Sequence, residues 1–206
     1  MQAMYIIGEF AKGKSILWHA GASSVSIAGQ QLSVANGASA VYATARSDDK
    51  CTFCVEKLGA TKAYNTKTQK WDEEVLKDTD GKGVDIIVDY IGPEAFAGNL
   101  NAAARDGRIV NLASLSGTKL KDGMGSPDFG AFVRKRLRYE GSSLRSRDED
   151  YQGKLRDQLV EHAMPLFKSG KFKVFVEKVY PWDQIQDAHR QMEANQTKGK
   201  LICTIG

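Results

Sequence analysis

Ser15-Ile16-Leu17-Trp18-His19-Ala20-Gly21-Ala22-Ser23-Ser24-Val25-Ser26-Ile27-Ala28 is the stretch on which the fold turns. It opens as a short apolar run, Ser15 to Ala20. It then passes through small residues into a helix expected from about Val25 to Ala35. Small residues let a backbone approach a pyrophosphate, and a helix N-terminus offers free N–H groups and the positive end of its dipole. The strict G-x-G-x-x-G fingerprint is absent, because serines stand at Ser24 and Ser26. Serine is small and its hydroxyl can donate to phosphate, but it resists positive φ more than glycine does. The same residues read equally as a plain N-capped helix after a strand.

Outward from this turn, short β-rich runs alternate with longer helical stretches. Ala40 to Ala45 is the second strand, followed by a helix from Asp48 to Leu58 that Gly59 closes. Ala63 to Asn65 is a short third strand. Trp71 to Lys77 reads as a helix with Asp72, Glu73 and Glu74 in its first turn, where the dipole favours them. Val84 to Asp89 is a buried strand, Ala95 to Ala103 a helix, and Gly107 to Leu112 a fifth strand. Arg138 to Leu144 is the sixth, and a long amphipathic helix is expected over Glu149–Phe167. Continuous apolar strands between helices predict an α/β fold, a doubly wound parallel sheet of about six strands with helices on both faces. Such sheets bind ligands at the carboxyl ends of their strands. The loop from Gly117 to Gly130 is expected to be flexible. Beyond it, Val174–Val176 and Leu201–Ile205 look strand-like, with a helix from Trp182 to Ala194 between them.

The second strand ends Ala43-Thr44-Ala45 without the carboxylate that binds both ribose hydroxyls in NAD-preferring folds. Arg46, Ser47 and Lys50 follow, and a cation with a hydroxyl suits a 2′-phosphate. Asp48 and Asp49 oppose this, but their place in a first helical turn also explains them. The charge pattern therefore favours NADP(H).

Composition narrows the classes. The chain has 206 residues, 42% hydrophobic and 26% charged, which suits one generous globular domain. A net charge of +4 is mild, and Arg134-Lys135-Arg136-Leu137-Arg138 has no interleaved aromatics, so a solvated helix end is preferred to a nucleic-acid surface. Three cysteines argue against a disulfide framework. Cys51 and Cys54 lack two further ligands at zinc-site spacing and read as small core residues on a helix; no metal site is expected. With no membrane-length apolar run and no leader pattern, a cytoplasmic setting is expected. No tyrosine has a lysine four residues on, as a short-chain dehydrogenase would require, and a methyltransferase would want an acid ending the second strand.

At this level of detail the chain resembles a known family. The turn from His19 to Ala28 is similar to the cofactor turn of zinc-free quinone oxidoreductases of the medium-chain dehydrogenase/reductase superfamily. Further similar pieces follow in order: Glu56 to Ala60, Gly81 to Asp89 with Ile91-Gly92, Asp106 to Val110, Ser143 to Asp148, Asp187-Ala188-His189, Asn195, and Gly199 to Ile202. The run Leu144-Arg145-Ser146-Arg147-Asp148 resembles the branch that includes the tumour-suppressor-induced quinone oxidoreductases of animals.

The resemblance implies roles by position. Ser23, Ser24, Val25 and Ser26 would face the pyrophosphate. Arg46, Ser47 and Lys50 would surround the adenosine ribose and its 2′-phosphate. Thr66 stands where many relatives carry tyrosine or histidine against that ribose. Ile91 and Gly92 would lie beside the cofactor, Leu112, Ala113 and Ser114 would flank the nicotinamide, and Leu144 and Arg145 would close its far side. No catalytic acid is assigned. The implied chemistry is hydride transfer from NADPH to a quinone or related conjugated carbonyl. The alternative is a cofactor-binding or oligomerising module without turnover of its own. The resemblance divides the chain into 1–12, a remnant of an interdomain linking helix, 13–170, the cofactor domain, and 171–206, a segment that returns to a catalytic domain supplied from elsewhere. It also implies a homodimer joined through sheet edges, and neither nucleic-acid nor membrane partners are expected.

Overall fold

The computed structural model describes residues 1–121 and 126–206. Six parallel strands form one sheet in the order β3-β2-β1-β4-β5-β6. They are β1 (Ser15–Trp18), β2 (Ala40–Ala45), β3 (Lys62–Asn65), β4 (Val84–Asp89), β5 (Ala103–Asn111) and β6 (Arg138–Gly141). The crossovers between them carry α1 (Ser24–Ala35), α2 (Asp48–Leu58), α3 (Trp71–Asp78), α4 (Pro93–Ala102) and α5 (Gly130–Lys135). The winding reverses between β1 and β4, so the sheet has its switch point beside the first turn.

Side-chain alternation explains the two cores. Ile16, Trp18, Val41, Ala43, Ile86, Val88 and Val110 point to one face, where Ile27 and Leu32 of α1 and Cys54 and Leu58 of α2 cover them. Leu17, Tyr42, Ile87 and Ile109 point to the other, against Val75 of α3 and Leu100 of α4. A strand buried on both faces must be apolar throughout, which is why these runs do not alternate with polar residues. Gly29 sets how closely α1 approaches the sheet: a Cβ there would fall 2.4 Å from the Trp18 ring. Cys54 is fully buried, and burial beside Cys51 pushes its thiol up to about 12. Cys51 is partly exposed on the same helix.

Several expected boundaries shift. The long helix over Glu149–Phe167 is two helices, α6 (Glu149–His162) and α7 (Met164–Lys168). Pro165 near the start of α7 has no N–H to continue the ladder. The sixth strand stops at Gly141 rather than Leu144, and β5 begins at Ala103, ahead of an irregularity in its pairing with β4. Gly130, expected as the end of a flexible loop, is the first residue of α5. Residues 122–125 of that loop lie outside the described residues. The strand expected at Val174–Val176 is instead β7 (Val176–Pro181). A 3-10 turn (Trp182–Gln184) and α8 (Ile185–Glu193) link it in parallel to β8 (Lys200–Thr204), forming a separate two-stranded sheet. No helix among the described residues is long and apolar enough to cross a membrane.

Candidate functional site

The first turn forms because Ala20 takes a left-handed conformation, φ 46°, at the end of β1. Gly21 then packs against α2 and β2: a Cβ there would meet Cys54 Sγ at 2.7 Å and Ala43 Cβ at 2.9 Å. Its N–H donates to Thr44 O at 2.7 Å, and its carbonyl accepts from Gln30 Nε2 at 2.7 Å. Ser23 caps α1, accepting weakly from Ser26 N at 3.4 Å. The amides of Ser24 and Val25 lie in the first helical turn, where no intrahelical carbonyl can accept them. Val25 is 56% exposed.

Ser26 does not face that opening. Its side chain is fully buried, and its hydroxyl donates to His19 O at 2.6 Å. The expected phosphate contact from its side chain is therefore corrected: this serine locks the turn from beneath. Ser24 Oγ donates to Gly199 O at 3.2 Å, a contact with the C-terminal segment that local sequence could not show.

Beneath the strand ends lies a buried polar network that residue-by-residue reading missed. His19, Thr44, Asp89 and Asn99 are all buried. Asp89 accepts from Ile91 N at 2.7 Å, Gly92 N at 3.1 Å, Asn99 Nδ2 at 3.1 Å and Asn111 Nδ2 at 3.3 Å. The His19 ring lies between Thr44 Oγ1, 2.8 Å from Nδ1, and Asn99 Oδ1, 2.7 Å from Nε2. Burial holds the His19 imidazole below its ordinary value, against the pull of Asp89 and Asn99. The sequence signal is polarity at or next to the carboxyl ends of β2, β4 and β5: Thr44, Asp89 and Asn111.

The network shapes the next turn. Gly92 adopts φ 84° and ψ −131°, a region essentially reserved for glycine, and a Cβ there would lie 3.0 Å from Ser114 Cα. Leu112 N donates to Asp89 O, Leu115 N to Tyr90 O and Ser116 N to Ile91 O. Ile91, Gly92, Leu112, Ala113 and Ser114 are thereby gathered at the carboxyl ends of β4 and β5. Leu144 and Arg145 are exposed on the loop after β6, and among the described residues no hydrogen bond joins them to the other candidates.

At the end of β2, Ser47 is the N-cap of α2, yet its side chain makes no capping bond. Lys50 Nζ donates to Asn195 O at 2.6 Å. Burial, and then the neighbouring Arg46, push the Lys50 ammonium below its ordinary value. Asp48 accepts from Asn65 Nδ2 at 2.8 Å, and Asp49 pairs with Lys198 at 2.9 Å. Thr66 turns its hydroxyl onto Ala45 O at 3.3 Å, so its expected contact with the ribose is not preformed. The turn, the β4–α4 loop and this cationic end all stand at the carboxyl ends of the strands, on either side of the switch point between β1 and β4. Small backbone-lined walls and helix N-termini fit a dinucleotide there. A concavity of about 490 Å³ at the opposite, amino ends of the strands is lined by Lys14, Asp85, Asp106, Arg108 and Arg136. Its charges pair internally, as Lys14 does with Asp85 at 3.1 Å. Among the described residues no group of three or more His, Cys, Asp or Glu side chains is gathered to hold a metal.

Comparison with known proteins agrees with this architecture. A highly reducing polyketide synthase of Penicillium roqueforti, anuA, is 26% identical over 98% of this chain, which spans 10% of that protein. A solved NAD-dependent alcohol dehydrogenase superposes over the whole chain with a TM-score of 0.81 and 29% identity, and the chain spans 55% of it. The CurK enoyl reductase superposes equally completely, with a TM-score of 0.77 and 26% identity over 58% of its length. The chain thus spans little more than half of these solved relatives. The family model for zinc-binding dehydrogenases matches residues 58–203, more than half of the sequence. On this match and this fold, the chain belongs to the zinc-binding dehydrogenase family of the medium-chain dehydrogenase/reductase superfamily.

Proposed function

We propose that the chain is the NADP(H)-binding domain of an oxidoreductase that reduces quinones or related conjugated carbonyls. The observation that carries the cofactor reading is the cationic end of β2, where Arg46 and Lys50 flank the uncommitted hydroxyl of Ser47. A 2′-phosphate supplies the anion such a cluster wants. The first turn of α1, with Ser23, Ser24 and Val25 on its open side, holds the pyrophosphate through backbone N–H groups and helix dipole. Gly92 and Leu112–Ser114 leave a wall of small residues and backbone for the nicotinamide ring. On the same reading Leu144 and Arg145 close its far side.

Bound NADPH supplies the hydride; the protein's part is to hold and orient it. The Asp89 network fixes the carboxyl ends of β1, β2, β4 and β5 relative to one another, so the cradle is rigid before the cofactor arrives. A conjugated enoyl thioester is the acceptor favoured by one specific observation, the similarity to an enoyl reductase and to a polyketide synthase.

The substrate half of the cleft is read as belonging to a further domain that packs on residues 171–206, with 1–12 as the link to it. What supports this is the β7–β8 pair. Parallel strands are normally buried on both faces in larger sheets, yet Val176, Val179, Trp182 and Ile202 stand exposed here. On that reading the chain alone binds cofactor without turnover. We also read the open edge of β6 as a dimer seam between two copies, because its four residues are exposed and its outer edge is unpaired.

The test is calorimetric titration of the chain with NADPH and, in parallel, NADH. Preference for NADPH supports the proposal; equal affinity, or binding of neither, removes its basis.

A further inference from the structure

The segment joining α8 to β8 crosses the open face of the phosphate turn. Gly199 N donates to Ala22 O at 3.1 Å, and Gly199 O accepts from the Ser24 hydroxyl at 3.2 Å. Gly199 has φ 101°, and a Cβ there would lie 2.2 Å from Phe175 O, so only glycine allows so close a pass. At the other end of the segment Asn195, φ 60°, receives the Lys50 ammonium on its carbonyl at 2.6 Å. Between these anchors Lys198 points to the first turn of α2. Its Nζ is 2.9 Å from Asp49 Oδ2, its own N–H donates to Glu177 Oε2 at 3.1 Å, and its side chain is only 29% exposed.

The strap thus brings a third cation to the group formed by Arg46 and Lys50. The strap holds Lys198 there by its 2.9 Å pair with Asp49, the residue next to Lys50, while Lys50 itself reaches the strap at Asn195 O, 2.6 Å away. After burial, Arg46 and Lys198 act to lower the Lys50 ammonium, with Asp49 and Glu177 acting against them. Two half-buried ammonium groups, Lys50 and Lys198, and the exposed Arg46 guanidinium repel one another unless an anion joins them. Asp49 now supplies part of that charge, while Asp48 is held by Asn65.

We propose that Lys198, carried by the 195–199 strap, is a third determinant of NADP(H) selectivity, and that Asp49 is a stand-in counter-ion which releases it to the 2′-phosphate. This rests on the NADP(H) reading above. The strap then couples cofactor recognition to the C-terminal segment, because Lys198 can reach the phosphate only while Gly199 stays docked on Ala22 and Ser24.

The experiment is calorimetric titration of the full chain and of Lys198→Ala, Asp49→Asn and the control Lys200→Ala with NADPH and with NADH. Loss of a charge-assisted phosphate contact weakens NADPH about tenfold in Lys198→Ala. NADH affinity stays within about twofold, because it lacks the phosphate. Asp49→Asn, which frees Lys198 and removes an opposing charge, tightens NADPH; Lys200→Ala changes neither cofactor. If Lys198→Ala melts early, Lys198→Gln, which keeps most of the stem, carries the same test. Equal losses for both cofactors make Lys198 a prop for the strap and overturn the proposal. A parent chain that prefers NADPH, with that preference unchanged in Lys198→Ala, overturns it while leaving the cofactor reading intact. A parent chain with no preference overturns both.

Discussion

His19 and Asn99 share a buried hydrogen bond of 2.7 Å, and the partners of Asn99 fix its direction. Asn99 Nδ2 donates to Asp89 at 3.1 Å, so Oδ1 faces the imidazole and accepts from Nε2–H. Nδ1 is then the acceptor for the Thr44 hydroxyl at 2.8 Å. One oriented chain runs from β2 through β1 to α4 and β4. Asn99→Ala should therefore leave both a buried carboxylate and a buried ring nitrogen short of a partner. The expected loss is about 2–4 kcal/mol in urea unfolding. A loss below about 1 kcal/mol would show that water replaces the amide easily.

The same histidine sets a pH dependence. Its imidazole titrates lower in the folded chain than when unfolded, chiefly because it is buried. The unfolded chain therefore binds the proton first. Stability from this group is complete above the unfolded value near 6.5 and falls as pH drops below it. Melting temperatures from pH 7.5 to 5 should fall more steeply for the parent than for His19→Gln, which has no proton to gain. Parallel curves would refute the assignment.

Gly29 and Trp18 define the spacing of α1 from the sheet. Gly29→Ala places a methyl 2.4 Å from the indole, and that ring is fixed by its own bond to Ser33 at 3.1 Å. Neither partner yields cheaply, so the variant should lose about 1–3 kcal/mol despite alanine's better helix propensity. Combining it with Trp18→Leu should cost less than the sum of the two single changes, measured as a double-mutant cycle.

Arg46→Ala together with Lys50→Ala should weaken NADPH far more than NADH, because the lost contacts are to the extra phosphate. Calorimetry reads the ratio directly. Lys50 also anchors Asn195, so faster hydrogen exchange across 195–199 should accompany the change.

The β6 seam can be probed at Gly141. Ser142 N donates inward to Asn111 O, so the alternate residues Tyr139 and Gly141 offer their backbone groups to the open edge. Gly141→Pro removes one outward N–H while leaving the pairing with β5 in place. Sedimentation should show a dimer for the parent and a shift to monomer for the variant; a monomeric parent at high concentration would end the dimer proposal.

The sequence by itself determined the order and kind of the sheet elements. Largely apolar runs such as Val84–Asp89, alternating with helical stretches, argue for a parallel sheet covered on both faces, and the strand-to-helix turn after Trp18 marks the carboxyl end at which such sheets bind ligands. The charge pattern of Arg46, Ser47 and Lys50 at the end of β2 is a local property that can be read without the fold. Three things were decided only by tertiary structure. Ser26 looks like a phosphate ligand in the turn, yet the rotation of α1 onto the sheet buries it against His19. His19 stands 80 residues from Asn99 and meets the Asp89–Asn99 pair only because the winding brings β1 beside β4. Ser24 and Gly199 stand 175 residues apart, and only the docking of the C-terminal strap reveals that the phosphate turn has a second wall. Local pattern carries propensity and periodicity; contacts closed across long loops exist only once the sheet has assembled.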